Sequence, residues 1–336
     1  MPDVSTYRDW VAKFGGSATC ANILDAAESS ARLFTRCRGL LVDLKFEGLA
    51  VGVFGSIGRF EALEASDVDL NVFFDSAKCS PEKALEARTT VFQTIKAGGL
   101  EDVSDKTFKD PMDYRRLLKD VGGENDINLH LTYRALVLTE AGWLYDLAEG
   151  KRYREQIFNT YQEGLTTRGR YLTSLSNDLQ RYYRTLCVDY RFKVAEAGKG
   201  WAIRNMKLRH SRKLWHLSNL ALQCVAAKSG SDENNDGILA EHLDDPPLLK
   251  IAFALDQMGA AALVKDVWST YDTFLGLIRQ PKFRAELDAA KYEMKMECAE
   301  FRALHDSAQT FDGIADKVVT QLLDHNRDYL VRFGLL

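Results

Sequence analysis

Between Leu49 and Phe74 the chain reads LAVGVFGSIGRFEALEASDVDLNVFF. Two apolar runs, Leu49–Phe54 and Val68–Phe74, are short, rich in branched and aromatic residues and bounded by turn residues, so both are expected as buried strands. The second is preceded and entered by Asp67 and Asp69. Side chains alternate across a strand, so these carboxylates share one face while Val68, Leu70 and Val72 face the core. Two like charges this close oppose each other's ionisation and are costly to hold unless a cation sits between them. A hard divalent cation such as Mg²⁺ takes oxygen ligands of this kind. Upstream, Gly55-Ser56 breaks the apolar pattern at a strand-to-helix turn, and Gly58–Ala65 is expected as a short helical turn. Glycine there lets the backbone approach a ligand closely, and the amides that open a helix suit a phosphate. One segment thus offers a phosphate cradle and a metal clamp.

The flanking sequence sets this segment in a small α/β unit. Residues 3–46 carry apolar residues at helical spacing, broken at Gly15-Gly16-Ser17, and are expected as two helices. Ser80-Pro81-Glu82 is a helix start, with Pro at the first position, and that helix should run to about Lys96. Asp110-Pro111 should open another short helix. Asp126–Leu131 alternates, with Ile127, Leu129 and Leu131 on one face and Asp126, Asn128 and His130 on the other, and is expected as a half-buried strand. Beyond it the chain reads as helices near 132–149, 151–164, 167–197, 201–227, 246–260, 262–279, 281–306 and 314–332. The polar, acidic stretch Ser229–Asp245 is expected as an exposed loop.

Charge is unevenly spread. The 336-residue chain has a formal charge of −4, yet Lys151–Trp215 holds fifteen Lys and Arg against five Asp and Glu, which leaves the remainder strongly acidic. A basic middle in an acidic protein points to a local anionic ligand rather than to a general nucleic-acid coat. The six cysteines, at 20, 37, 79, 187, 224 and 298, form no CxxC pair and have no histidine at ligand spacing. That pattern argues against zinc and disulfides and suits a reducing cytoplasm. No stretch approaches the ~20 apolar residues that span a bilayer, so no membrane association is expected.

The string Gly55-Ser56-x-Gly58-Arg59-x-Glu61, followed by Ser66-Asp67-x-Asp69, resembles the DNA polymerase β-like nucleotidyltransferase superfamily. It looks most like the bacterial protein adenylyl- and uridylyltransferases that modify glutamine synthetase and the PII protein, and their uncharacterised relatives. GENDINLHLTYRALVLTEAGWLYD (123–146), RYYRTLCVDYRFK (181–193) and RNMKLRHSRKL (204–214) extend the likeness over roughly residues 48–220. The resemblance implies an α+β architecture: a small mixed-sheet nucleotidyltransferase domain with N-terminal helices over residues 1–150, then an all-helical substrate- and nucleotide-binding domain over 151–336. It implies Mg²⁺- or Mn²⁺-dependent transfer of a nucleoside monophosphate from an NTP such as ATP to a hydroxyl acceptor, with pyrophosphate released. The acceptor, a protein, an RNA or a small molecule, is left open. By the same likeness Asp67 and Asp69 hold the metal, Gly55 and Ser56 cradle the phosphates, and a third carboxylate comes from a neighbouring strand. Asp126 is the expected third carboxylate, with Glu124 the runner-up.

The basic helices supply candidate phosphate ligands. A helix from Trp201 would place Arg204, Lys207 and Ser211 along one face, with Lys213 at its edge, and Arg59, Arg181 and Arg184 are further cations. Tyr182, Tyr183 and Trp201 are candidates to stack on a base, although aromatics at helical spacing more often build a core. Two other readings compete. Arg204 and His210 also resemble the Arg/His pair of the metal-independent helical ribonucleases, and the chain is alternatively a catalytically inactive nucleotide-binding protein.

Overall fold

A computed structural model describes residues 3–14, 20–64, 66–100, 109–162, 173–195, 200–228 and 232–335. The chain opens with helices α1 (Val4–Phe14) and α2 (Ala21–Leu41). Then come β1 (Leu49–Val53), α3 (Gly55–Gly58), β2 (Leu70–Phe74), α4 (Pro81–Ala97), β3 (Met112–Asp113), α5 (Tyr114–Leu117), α6 (Asn128–Thr139), β4 (Gly142–Tyr145) and α7 (Leu147–Gln162). The described elements beyond are all helices: α8 (Thr173–Ala195), α9 (Trp201–Lys207), a π-helical turn Leu208–Arg212, α10 (Lys213–Lys228), α11 (Asp232–His242), α12 (Pro247–Gln257), α13 (Ala261–Ile278), α14 (Pro281–Ala289), α15 (Ala299–Tyr329) and a closing π-helical segment Leu330–Leu335. Among the described residues the result is an α+β chain, mostly helical, with one small mixed sheet.

Two compact units divide it. The first is built on Ala26–Thr166, and the second on Ser5–Asp25, Thr167–Leu243 and Pro247–Leu336. Both boundaries differ from the expected break at 150, for physical reasons. Helix α7 runs through that position, and its Gly150 packs flat on the Trp143 indole of β4, so α7 belongs to the sheet. Helix α1 joins the second unit instead. Tyr7 packs against Trp268 with ring centroids 6.0 Å apart, and Asn22 and the Ile23 amide both donate to Asp272.

The sheet has the order β3-β2-β1-β4. β1 is antiparallel to β2, with Val53 opposite Leu70 and Leu49 opposite Phe74, and antiparallel to β4 across a bulge at Val51/Gly52. β3 runs parallel to β2. All five residues of β1 and of β2 are buried, which explains their near-continuous apolar sequence. One face of the sheet, Leu49, Val51, Val53, Leu70, Val72 and Phe74, packs on Cys37 and Leu41 of α2 and on Ala84, Val91 and Ile95 of α4. Helix α4 starts where expected, with Ser80 accepting from the Lys83 amide and Pro81 in the first turn. On the other face, Phe73 meets Phe54, Tyr133 and Trp143 edge-on at 5.5–5.9 Å. Gly52 makes room for this cluster: a Cβ there would lie 3.1 Å from Phe54 and 3.2 Å from Trp143.

Five expectations are corrected. Asp126–Leu131 is not a strand. Helix α6 begins at Asn128, leaving Ile127 and Leu129 exposed and burying Leu131, Ala135 and Leu138 at helical spacing. Within the expected helix 132–149 lies strand β4, too short to show in a periodicity reading. Asp110-Pro111 opens not a helix but β3, with the short α5 after it. Much of the acidic stretch 229–245 is helix α11, which buries Leu239. The 281–306 helix is also split, into α14 and the start of α15, and expected residues 167–172 and 196–197 lie outside the described set.

Asp126 sits just before α6 and faces Arg134, eight residues on. Arg134 donates from Nη1 to Oδ1 at 2.8 Å and from Nη2 to Oδ2 at 2.6 Å, and from Nε to the Tyr161 hydroxyl of α7 at 2.8 Å. Both side chains of the pair are essentially inaccessible. The Gly122 amide adds a further bond to Oδ2 at 2.8 Å. Removing one partner of such a pair strands a buried charge. Asp126→Ala is therefore expected to lower the unfolding free energy by about 3–5 kcal/mol in urea melts. A variant as stable as wild type would show that the pair does not anchor α6.

Candidate active site

The ladder between β1 and β2 continues one step past the strand ends. The Phe54 amide donates to the Asp69 carbonyl at 2.8 Å, and Val68 makes an isolated bridge. Asp67 and Asp69 flank buried Val68 and so project to one side, Asp67 exposed and Asp69 half-buried. The chain then turns at Gly55, whose φ is +67°. A Cβ at Gly55 would collide with Asp69 Oδ2, so glycine is required there twice, by its left-handed backbone and by the carboxylate against its Cα. The structure thus brings Gly55, Ser56, Asp67 and Asp69 together at one end of the central strands β1 and β2. Ser56 is half-buried, in the first turn of α3.

The turn is held from beneath by a buried ionic group. Glu140, at the end of α6, accepts at Oε2 from the Gly55 amide at 3.3 Å and from Arg59 Nη1 at 2.9 Å. Arg59 Nε donates to Glu61 Oε2 at 3.2 Å. All three side chains are nearly inaccessible. Gly58 lies directly on the Glu140 carbonyl, where any Cβ would collide. Two expected roles change accordingly. Arg59 is a structural cation clamped between two carboxylates rather than a phosphate ligand. The Gly55 amide points at Glu140, which leaves Ser56 and Ile57 as the first-turn amides without an intrahelical acceptor. Glu140 was not expected, because nothing near it in sequence marks it as part of the turn.

Beside Asp69 on the same face lies Asn71, fully buried on β2. Its Nδ2 donates to the Asp110 carbonyl at 3.0 Å and to the Tyr133 hydroxyl at 2.6 Å. The parallel register pairs Phe73 with Met112, which sets Asp110 across from Asn71 at the entry to β3, with an exposed side chain. Asp110 therefore occupies the neighbouring-strand position expected of Asp126. Asp126 itself is committed to Arg134, and Glu124 sits exposed in the turn before it.

Among the described residues no three His, Cys, Asp or Glu side chains gather as a metal-ligating group. The oxygen pair Asp67 and Asp69 beside a close-approach glycine has the donor chemistry for one hard cation, with phosphate oxygens completing its shell.

The basic-helix residues fall in the second unit. Arg204 donates to the Gly200 carbonyl at 2.9 Å, Lys207 is exposed, and Lys213 pairs with Asp312. The expected stripe is broken because the helix widens into a π turn at Leu208–Arg212, which turns His210 and Ser211 inward. His210 is fully buried, 4.2 Å from the parallel Phe274 ring, with Nδ1 against the Met206 carbonyl at 2.9 Å and Nε2 against Ser307 Oγ at 3.1 Å. Burial holds its imidazole down to about 4, although the bond to Met206 works the other way. Of the expected stacking residues, Tyr182 packs against Trp215, and the Trp201 indole donates to the Ala290 carbonyl. Comparison with family models, with curated proteins and with solved structures returns no match for this chain. No helix among the described residues is long and apolar enough to cross a membrane.

The contact between Gly55 and Asp69 makes a direct prediction. Gly55→Ala combines left-handed strain with a collision and should cost about 2–3 kcal/mol of stability. Adding Asp69→Ala should recover part of that loss, because the collision is with the carboxylate. Strictly additive losses in a double-mutant cycle would show that the two residues do not touch.

Proposed function

We propose that the chain is a divalent-cation-dependent nucleotidyltransferase that moves a nucleoside monophosphate from an NTP to a hydroxyl acceptor and releases pyrophosphate. The observation that carries this reading is the Asp69 carboxylate resting against the left-handed Gly55 at the mouth of a strand–turn–helix, with Asp67 on the same side. Asp67 and Asp69 would hold Mg²⁺ or Mn²⁺, and the bound cation would neutralise phosphate charge and favour departure of pyrophosphate. The remaining work belongs to the chain's own groups. The Gly55–Gly58 turn, fixed by Glu140 and Arg59, presents the Ser56 hydroxyl and the first-turn amides to phosphate oxygens. Asp110 replaces Asp126 as the third carboxylate in this reading, placed one strand over to take the proton of the acceptor hydroxyl as its oxygen attacks the α-phosphorus.

The helical unit supplies, in this reading, the surface that selects the acceptor, and a protein or RNA acceptor fits its basic character. The competing ribonuclease reading needs His210 at solvent, where it is not. A nucleotide-binding protein without turnover is favoured by one observation, that among the described residues no three His, Cys, Asp or Glu side chains gather as a metal-ligating group.

Activity separates these readings. With α-labelled NTPs, Mg²⁺ and cell lysate, label should pass to a macromolecular fraction and pyrophosphate should appear. Asp67→Asn or Asp69→Asn should each reduce transfer by about 100-fold or more while leaving the fold as stable as before, since one of two like charges is removed. Transfer at the wild-type rate in either variant would eliminate the carboxylate pair as the reaction centre. Tight NTP binding with no transfer to any fraction would favour the binding protein.

A further inference from the structure

We infer that the helical unit carries a second, metal-independent anion site for a polyphosphate group, built from Arg209, Arg212 and Lys213 at the π turn together with Arg184 of α8, around the stacked Tyr183–His216 pair. It goes beyond the proposed transfer reaction and does not depend on it.

The cluster is assembled by the π turn. Arg209, Arg212, Lys213 and His216 follow at i, i+3, i+4 and i+7, and Arg209 and Lys213 are shown to share a face because both reach Asp312 of α15. Arg209 Nη2 meets Asp312 Oδ2 at 2.7 Å, and Lys213 Nζ holds Oδ1. One carboxylate is thus gripped through both oxygens by two cations, the spacing that two oxygens of a phosphate require. His216 extends the stripe to α8, where it stacks on Tyr183 at 4.1 Å with the rings 6° from parallel. Arg184, next to Tyr183, is close enough to His216 that, after burial, its charge helps hold that imidazole down to about 4. Burial first, with smaller contributions from Cys187 and Asp312, raises the Tyr183 phenol to about 12.

Charge then decides the ligand class. His216 stays neutral, so the cluster sets four cations against one carboxylate. Arg184 is exposed and Arg212 half-buried, and among the described residues neither makes an ion pair. A ligand carboxylate would only duplicate Asp312. Pyrophosphate or the phosphates of a nucleotide bring several negative oxygens, and guanidinium forks match them in pairs. The shared chemistry is the polyphosphate, either free or nucleoside-borne.

Calorimetry at low ionic strength, in EDTA and on the Asp67→Asn variant, isolates this site from the carboxylate pair. Pyrophosphate is expected to bind there without metal. Arg184→Gln and Arg212→Gln, both at accessible positions, should each weaken it by about 5- to 10-fold. Asp312→Asn should tighten it by about 3- to 10-fold, because an internal competitor is removed. Equal affinity for ATP and pyrophosphate would identify the phosphates alone as what is read, and tighter ATP would add a contact from the nucleoside to the same site. Absence of pyrophosphate binding in the otherwise unaltered helical unit, or unchanged affinity in both arginine variants, overturns the inference. So does binding confined to long single-stranded oligonucleotides. Metal-dependent transfer in the wild type can succeed or fail independently of all these outcomes.

Discussion

Glu140 offers one carboxylate oxygen to two donors, the Gly55 amide and the Arg59 guanidinium, and the geometry of the Gly-Ser turn depends on that arrangement. A lone buried carboxylate would be costly, and Arg59 offsets it while being held in turn by Glu61. The close seating of Gly58 on the Glu140 carbonyl ties the same short helix to the end of α6 through backbone as well as charge. With the turn fixed, Gly55 is locked in its left-handed conformation and its Cα is pressed on the Asp69 carboxylate. The direction in which Asp69 points therefore follows from a residue 71 positions away in sequence (Glu140 against Asp69).

The local parts of this design were legible in the sequence. Two short apolar runs around Gly-Ser are strands because both faces of β1 and β2 are covered, one by α2 and α4 and the other by the aromatic cluster. Alternation alone was enough to place Asp67 and Asp69 on one side. The same reasoning misled at Asp126–Leu131, where six residues of alternation are too few to distinguish a strand from a helix start. Tertiary contacts decided that case: Asp126 is drawn to Arg134, and the helical spacing Leu131, Ala135, Leu138 finds a core. Strand β4, four residues long, is defined by its pairing with β1 rather than by any pattern of its own.

What the sequence could not show is mostly pairing at long range. Arg59 in a phosphate-like motif reads as a ligand until Glu61 and Glu140 are seen to enclose it. The π turn has no sequence signature, yet it turns His210 into a core packed on Phe274 and leaves Arg209, Lys213 and Asp312 as a charged cluster. The basic excess of Lys151–Trp215 was visible as a sum, but its division between paired cations and accessible ones was not.

The proposed transfer rests on Asp67 and Asp69, positioned by the Glu140-anchored turn, forming a cation-assisted nucleotide site. The most direct measurement is a crystal structure of the wild-type protein with Mn²⁺ and an NTP analogue that cannot release pyrophosphate, with anomalous scattering used to locate the ion. An anomalous peak is expected between the Asp67 and Asp69 carboxylates, with phosphate oxygens on the Ser56 side of the turn. A nucleotide bound elsewhere, or Mn²⁺ absent from this carboxylate pair at saturating nucleotide, would contradict it.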